Sequence, residues 1–165
     1  MPEHTPDPLW DPVTNSALST FIRESLWAYP ALETVHLIGL ALIFGPILMF
    51  DLRVLGRSSD MNIRRMHQTF LPWVWTGFAL NIASGVLLFI SDAAEFASSP
   101  ALYVKLALIA LAGINALMFQ RLLFPRLPGA SASSTLAGAA RVSAAVSILL
   151  WTGIIVAGRM IAYIK

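Results

Sequence analysis

The sequence holds no cysteine among its 165 residues. Disulfide frameworks, thiolate metal centres and cysteine nucleophiles are therefore excluded. Charge is almost as scarce: Asp, Glu, Lys and Arg make up 12% of the chain, roughly half the share usual in a soluble domain. Histidine occurs three times, as His4, His36 and His67, in no spacing that suits a metal or a nucleophile–base pair. An enzyme is consequently the least supported class. What is abundant is apolar surface, with 57% hydrophobic residues and a mean hydropathy of +0.72. An isoelectric point near 9.4 would ordinarily raise nucleic acid as a partner. Here the basic residues stand in two loops between apolar segments, a pattern that membrane topology explains and nucleic-acid binding does not.

Four apolar stretches, about 31–54, 70–91, 101–124 and 140–163, each exceed the roughly 20 residues that cross a bilayer core. The expected fold is all-α, a bundle of four transmembrane helices in a single membrane domain over 14–165. Residues 1–13 carry Pro2, Pro6, Pro8 and Pro12 and read as a proline-rich extended tail. Residues 14–29 place Leu18, Phe21, Ile22, Leu26 and Tyr29 opposite Ser16, Thr20, Arg23 and Glu24. That spacing predicts an amphipathic helix lying in the interface, separated from the first span by Pro30. Pro46 should kink the first span, and Pro72 fits a first helical turn. No basic segment precedes an apolar run at the N-terminus, so the first span rather than a cleaved leader is expected to direct insertion.

Seven of the eleven basic residues lie on one side, Arg53, Arg57, Arg64 and Arg65 in the stretch 52–69 and Arg121, Arg126 and Arg141 in 121–141, with only Asp51 and Asp60 of the nine acids. Basic loops stay in the cytoplasm. Both termini are therefore expected outside, in the periplasm if the membrane is a bacterial inner membrane.

Ionisable groups within spans are costly and are functional candidates by default. On the terminus side, one to two turns deep, come Glu33 and His36 on the first helix, Lys105 on the third and Arg159 on the fourth. They suggest a polar site open to that face, with His36 as ligand or proton carrier. Interface ion pairs with Lys105 and Arg159 reaching outward are the plainer alternative. Asn81, Asn115 and Thr152 lie at mid-depth, one per helix, and read as hydrogen-bonding glue. Gly77, Gly85, Gly113, Gly153 and Gly158 read as packing positions. Asp51, Arg53, His67, Gln120, Arg121 and Arg141 form a layer on the loop side that reads as anchoring, with Arg121 or Arg141 as the expected partner of Asp51.

Histidines in a small membrane bundle raise haem b as a cofactor. Two axial ligands must meet one iron at nearly equal depth. From residue 36 to 54 a helix climbs roughly 27 Å, so His36 and His67 cannot share an iron. Mixed ligation survives, with Met160 near the depth of His36 and Met49 or Met118 near that of His67. Methionine is equally an ordinary core filler. Copper is poorly served, because no Met-rich or His-rich cluster is present.

Several strings are familiar: Glu-Thr-Val-His-Leu-Ile-Gly at 33–39, Asp-Leu-Arg-Val-Leu-Gly at 51–56, Leu-Pro-Trp-Val-Trp-Thr-Gly-Phe at 71–78, Lys105, Asn115 with the following Ala-Leu-Met-Phe-Gln, and Ala-Gly-Arg-Met-Ile-Ala-Tyr at 157–163. Over residues 20–165 the chain resembles a family of bacterial inner-membrane proteins of unknown function, loosely related to copper-resistance D and cytochrome b561-like bundles. That resemblance implies the four-helix fold and no particular activity. It also implies a histidine where this chain has Gln120, so a second ligand there would be missing.

Three functions follow as expectations. The first is a non-enzymatic accessory or cofactor-binding subunit tied to redox chemistry at the periplasmic face, with His36, Glu33, Lys105, Arg159 and Met160 around haem, quinone or a partner's metal held by His36. The second is a small metal- or ion-handling transporter, and the third a structural subunit of a larger complex. The expected partners are the lipid bilayer, other redox subunits of the membrane or periplasm, and further copies of the chain; no nucleic acid is expected. The charge pattern makes one direct prediction. A reporter enzyme active only outside the cytoplasm, fused after Lys165, should be active, and the same reporter inserted after Arg57 silent. The reverse result would overturn the orientation.

Overall fold

The structure, a computed structural model, describes residues 8–57, 62–127 and 134–163. His4, Asp60 and the middle of the linker 125–139 lie outside the described residues. Four helices are long and apolar enough to cross a membrane: α3 (Ala28–Val54), α4 (Ile63–Ser91), α6 (Pro100–Met118), prolonged by further helical turns to Arg126, and α7 (Ser134–Met160). Short helices α1 (Asp11–Thr14), α2 (Ala17–Glu24) and α5 (Ala93–Ser98) gather on the side that carries the termini. No strand occurs among the described residues.

Local chemistry sets the ends. Asn62 caps α4, its Oδ1 accepting from the N–H groups of Arg64 and Arg65 at 2.9 and 3.2 Å, which satisfies two of the free donors that open a helix. That cap starts α4 seven residues earlier than apolarity alone suggests. Pro72 therefore stands inside the helix rather than in its first turn, and with no N–H it leaves the Gln68 carbonyl without its helical donor. Pro46 does the same to Leu42 within α3. Pro30 does not separate two helices. It sits in the first turn of α3, where a missing donor costs nothing.

The helices pair as two hairpins, α3 with α4 and α6 with α7, and the pairs meet chiefly through α3 and α7. The α3–α4 crossing is a backbone contact. A Cβ on Gly39 would stand 3.0 Å from the Gly77 carbonyl oxygen and 2.5 Å from Asn81 Nδ2; one on Gly77 would stand 2.7 Å from the Gly39 oxygen. Only glycine permits that approach. The α6–α7 pair is fixed instead by a polar clasp: Asn115 Nδ2 donates to the Ser143 carbonyl (3.1 Å) and Ser143 Oγ donates to Asn115 Oδ1 (2.9 Å). Between the hairpins, Ile43, Ala112, Trp151 and Ile154 form the core, joined by Phe44, Phe78 and Leu108.

Most of the remaining apolar surface faces outward. Leu37, Ile82, Leu111, Val142 and Leu149 are each more than half exposed. In water so large an apolar surface would aggregate; around a bundle of four spanning helices it is the lipid contact surface. The chain is a multi-pass membrane protein.

The interfacial segment is shorter and more broken than 14–29. Ser16 Oγ caps α2 by accepting from Ser19 N–H at 3.2 Å, and Ser25 ends the helix in extended backbone. Pro8–Trp10 and α1 are helical turns, not an extended tail. This unit is docked by named bonds. Ser19 Oγ donates to the Ser91 carbonyl at the end of α4 (2.9 Å), and Ala94 N–H donates to Thr14 Oγ1 (3.3 Å). Trp10 meets Phe89 edge-on at 5.2 Å.

The crossing yields a stability prediction. Gly39→Ala and Gly77→Ala should each destabilise the protein by about 1–3 kcal/mol, the usual cost of overpacking. Gly45→Ala, which adds a methyl into open space, should cost nothing measurable. Unfolding of the detergent-solubilised protein by sodium dodecyl sulfate reads the difference, and equal stability of all three variants would refute the backbone crossing.

Candidate ligand site around His36

His36 lies in the third turn of α3 on the terminus side. The glycine crossing one turn deeper brings it against α4, and the two helices hold it twice. Asn81 Nδ2 donates to the His36 carbonyl at 3.0 Å, a bond to backbone that any residue at 36 would keep. The ring itself meets Ser84, with Nδ1 2.9 Å from Oγ. Ser84 Oγ has one proton, and its shortest contact is to the Leu80 carbonyl at 2.6 Å. The hydroxyl thus donates along its own helix and accepts from the imidazole. In its neutral form His36 therefore carries its proton on Nδ1 and presents a bare Nε2 lone pair. Gly85 makes room for the ring: a Cβ there would lie 3.2 Å from Cε1. Nε2 has no protein partner among the described residues.

Lys105 comes from α6, in the second turn from the same face. Its stem runs across Gly158 of α7, with Cδ, Cε and Nζ 3.5–3.7 Å from where a Cβ would stand. The ammonium has no hydrogen-bond partner among the described residues. Two arrangements thus stand near this face: α3 and α4 hold the imidazole between them, and α6 lays its cation across the gap at Gly158 of α7.

The other residues of the expected terminus-side cluster do not join either of them. Glu33 is exposed. Arg159 is exposed as well; its guanidinium reaches one turn along α7 to the Tyr163 hydroxyl (3.0 Å) and covers that ring at 5.3 Å. Met160 is partly buried at the end of α7. Outside the spans, where α4 turns into α5, burial raises the Asp92 carboxyl above the usual carboxylate range while its oxygen caps Glu95 N–H at 3.3 Å.

Of the mid-depth polar groups, Asn81 and Asn115 bond between helices, whereas Thr152 is exposed and its hydroxyl turns back to the Ile148 carbonyl (2.8 Å). Gly113 faces open space. On the loop side Asp51 is buried. It does not meet Arg121 or Arg141, which are exposed: long guanidinium side chains at the membrane edge are free to turn outward. Arg53 is partly buried. His67 is enclosed by aromatics, with Phe124 at 4.5 Å and Phe50 at 6.0 Å between ring centres. Asp51 Oδ2 and His67 Nε2 are buried without a hydrogen-bond partner. His67 stands in the second turn of α4 on the loop side and His36 near the terminus side, so no single iron is shared. Among the described residues no three His, Asp or Glu side chains gather as a metal would require.

Ser84 and the contact of Lys105 with Gly158 were not singled out in the sequence, where Gly85 and Gly158 read only as packing positions. A serine three residues after Asn81 shares its helix face, and that spacing was the available signal. No family model, curated protein or solved structure matches the chain.

The anchoring predicts a tautomer. Nitrogen-15 spectra of the protein labelled in histidine should show His36 with Nδ1 protonated and Nε2 bare. Ser84→Ala should lose that preference and cost about 1 kcal/mol of stability, the usual net worth of one hydrogen bond. A bare Nδ1 in the unaltered protein would contradict the assignment.

Proposed function

We propose that this membrane protein is a non-enzymatic, cofactor-binding subunit serving redox chemistry at the membrane face that carries its termini. The distribution of arginine argues that this face is the periplasmic side of a bacterial inner membrane. The carrying observation is His36 itself: an imidazole anchored through Nδ1–H to Ser84, with Nε2 unclaimed among the described residues. Histidines that bind ligands or metals are commonly fixed in this way, by a hydrogen bond on the other ring nitrogen. A histidine serving only to pack two helices has no need of the second, open nitrogen.

Haem b, if bound, would be held by His36 through Nε2 and by Met160. A transport path is less well supported. Asn81, Asn115 and Thr152 all spend hydrogen bonds on helix backbone, so they do not form a free polar lane across the bilayer. Redox partners in the membrane or periplasm, and other copies of the chain, are the expected company of such a subunit.

Purification in mild detergent tests the reading. Absorbance spectra, metal analysis and extraction into organic solvent should recover one redox-active group, and His36→Ala should lose it. That variant should still fold, because the Asn81 bond goes to the backbone of residue 36. A protein that carries no redox-active group and takes up none when offered haem, copper or quinone would sink the proposal and leave the structural-subunit role.

A further inference from the structure

We infer that the loop-side surface of α6 and α7 binds anionic phospholipid, with phosphate on the guanidinium groups of Arg121 and Arg141 and acyl chains along the apolar stripes beneath them. This goes beyond the cofactor-binding reading and stands independently of it.

The charge on that side is not answered within the protein. Arg57, Arg64, Arg65, Arg121, Arg126 and Arg141 are all exposed. Asp51 is the one carboxylate on that side among the described residues, and it is buried. The opposite side differs. There Arg23 donates to the Thr14 carbonyl and Arg159 to the Tyr163 hydroxyl, both at 3.0 Å. Guanidinium is the cation whose fork of N–H donors best matches a phosphate.

Orientation in the membrane accounts for the number of arginines on one side, but not for where Arg121 and Arg141 stand. Either would serve topology equally well from a loop. Instead each stands within a helix, at the head of a lipid-facing stripe. On α6 the stripe runs Leu111, Ile114, Met118, Arg121, at steps of three, four and three residues that keep to one side of a helix. Its three apolar members are each more than half exposed. On α7 Arg141 heads a stripe with Val142 and Leu149, which are likewise more than half exposed. The two helices run antiparallel, so both guanidinium groups lie on the loop side of the Asn115–Ser143 clasp. Leu111 lies roughly 15 Å along the helix from Arg121, and Leu149 roughly 12 Å from Arg141. One leaflet supplies about that depth of hydrocarbon, half of a core roughly 30 Å thick.

The combination selects the ligand. A soluble phosphate uses the arginines and leaves the stripes bare, and an uncharged lipid does the reverse. A zwitterionic head brings an ammonium into a face already crowded with cations. An anionic phospholipid meets both parts, as juxtamembrane basic clusters do elsewhere.

Native mass spectrometry of the full chain in a neutral detergent tests the inference, with dioleoyl phosphatidylglycerol and dioleoyl phosphatidylcholine added in turn. A micelle imposes no orientation, so binding is read apart from any role in insertion. Phosphatidylglycerol should bind more tightly than phosphatidylcholine. Arg121→Gln and Arg141→Gln should each weaken phosphatidylglycerol about fivefold, the equivalent of about 1 kcal/mol for one arginine near a membrane surface, and leave phosphatidylcholine unchanged. Arg23→Gln, on the opposite side, should alter neither lipid; an equal loss there would overturn the location. Equal binding of the two lipids, or a preference that survives loss of both arginines, would overturn the site. Displacement by glycerol phosphate as effective as by phosphatidylglycerol would assign the arginines to a soluble phosphate. The same result with polyglutamate would assign them to an acidic protein, and either outcome would overturn the lipid.

Discussion

The contact between the backbones of Gly39 and Gly77 is the constraint on which the rest of the structure depends. Lipid offers no hydrophobic drive for two helices to associate, so contact area and polar bonds must supply it. A pair of glycines lets α3 and α4 approach until carbonyl oxygen faces Cα. At that distance the short side chains of α4 reach the backbone and ring of α3, which longer spacing would forbid. Asn81 and Ser84 reach His36 only because the crossing lies one turn below them. The site is thus a consequence of helix packing, and a methyl group at either glycine would dismantle it from a distance.

A second constraint is the cost of an unsatisfied polar atom in an apolar medium. It is met in most of the bundle by short, local solutions. Asn115 and Ser143 close a two-bond clasp, Thr152 and Thr76 return to their own helices, and Ser19 covers a free carbonyl at the end of α4. Against that background the exceptions stand out. Asp51 Oδ2 and His67 Nε2 are enclosed at the loop side, His67 among the rings of Phe50 and Phe124. His36 and Lys105, on the terminus side, are instead only partly buried. Burial without access makes the first pair a packing feature; the second two keep access to the surface of the bundle.

The terminus-side cap links these themes. Its helices are short and depend on serine and threonine bonds to the ends of α4 and α5, while Leu26 and Trp27 remain largely exposed at the level where amphipathic side chains meet head groups. One side of α2 thereby serves the interface and the other roofs an apolar groove against α3 and α4. Anchoring and the wall of the groove are carried by the same eight residues.

Span number, helix class and the opposite ends held by His36 and His67 were legible in the amino-acid order, because length, hydropathy and rise per residue are local quantities. The paired roles of Asn81 and Asn115 were half legible: an amide in a span needs a partner, but its identity depends on the neighbouring helix. Helix ends were misplaced where a cap outweighed apolarity, as at Asn62, and the interfacial helix was overextended because periodicity does not register the break at Ser25. Charge alone suggested that Glu33, His36, Lys105 and Arg159 act together and that Asp51 meets an arginine. Only the tertiary structure separated them. Long side chains at the membrane edge are free to turn outward, as Glu33 and Arg159 do, whereas His36 is held by Ser84 and Lys105 by the gap at Gly158. The sequence by itself determined a four-span membrane bundle with polar layers at its ends. The packing decided which of those polar groups meet, since that depends on interhelical distance, which no single helix encodes.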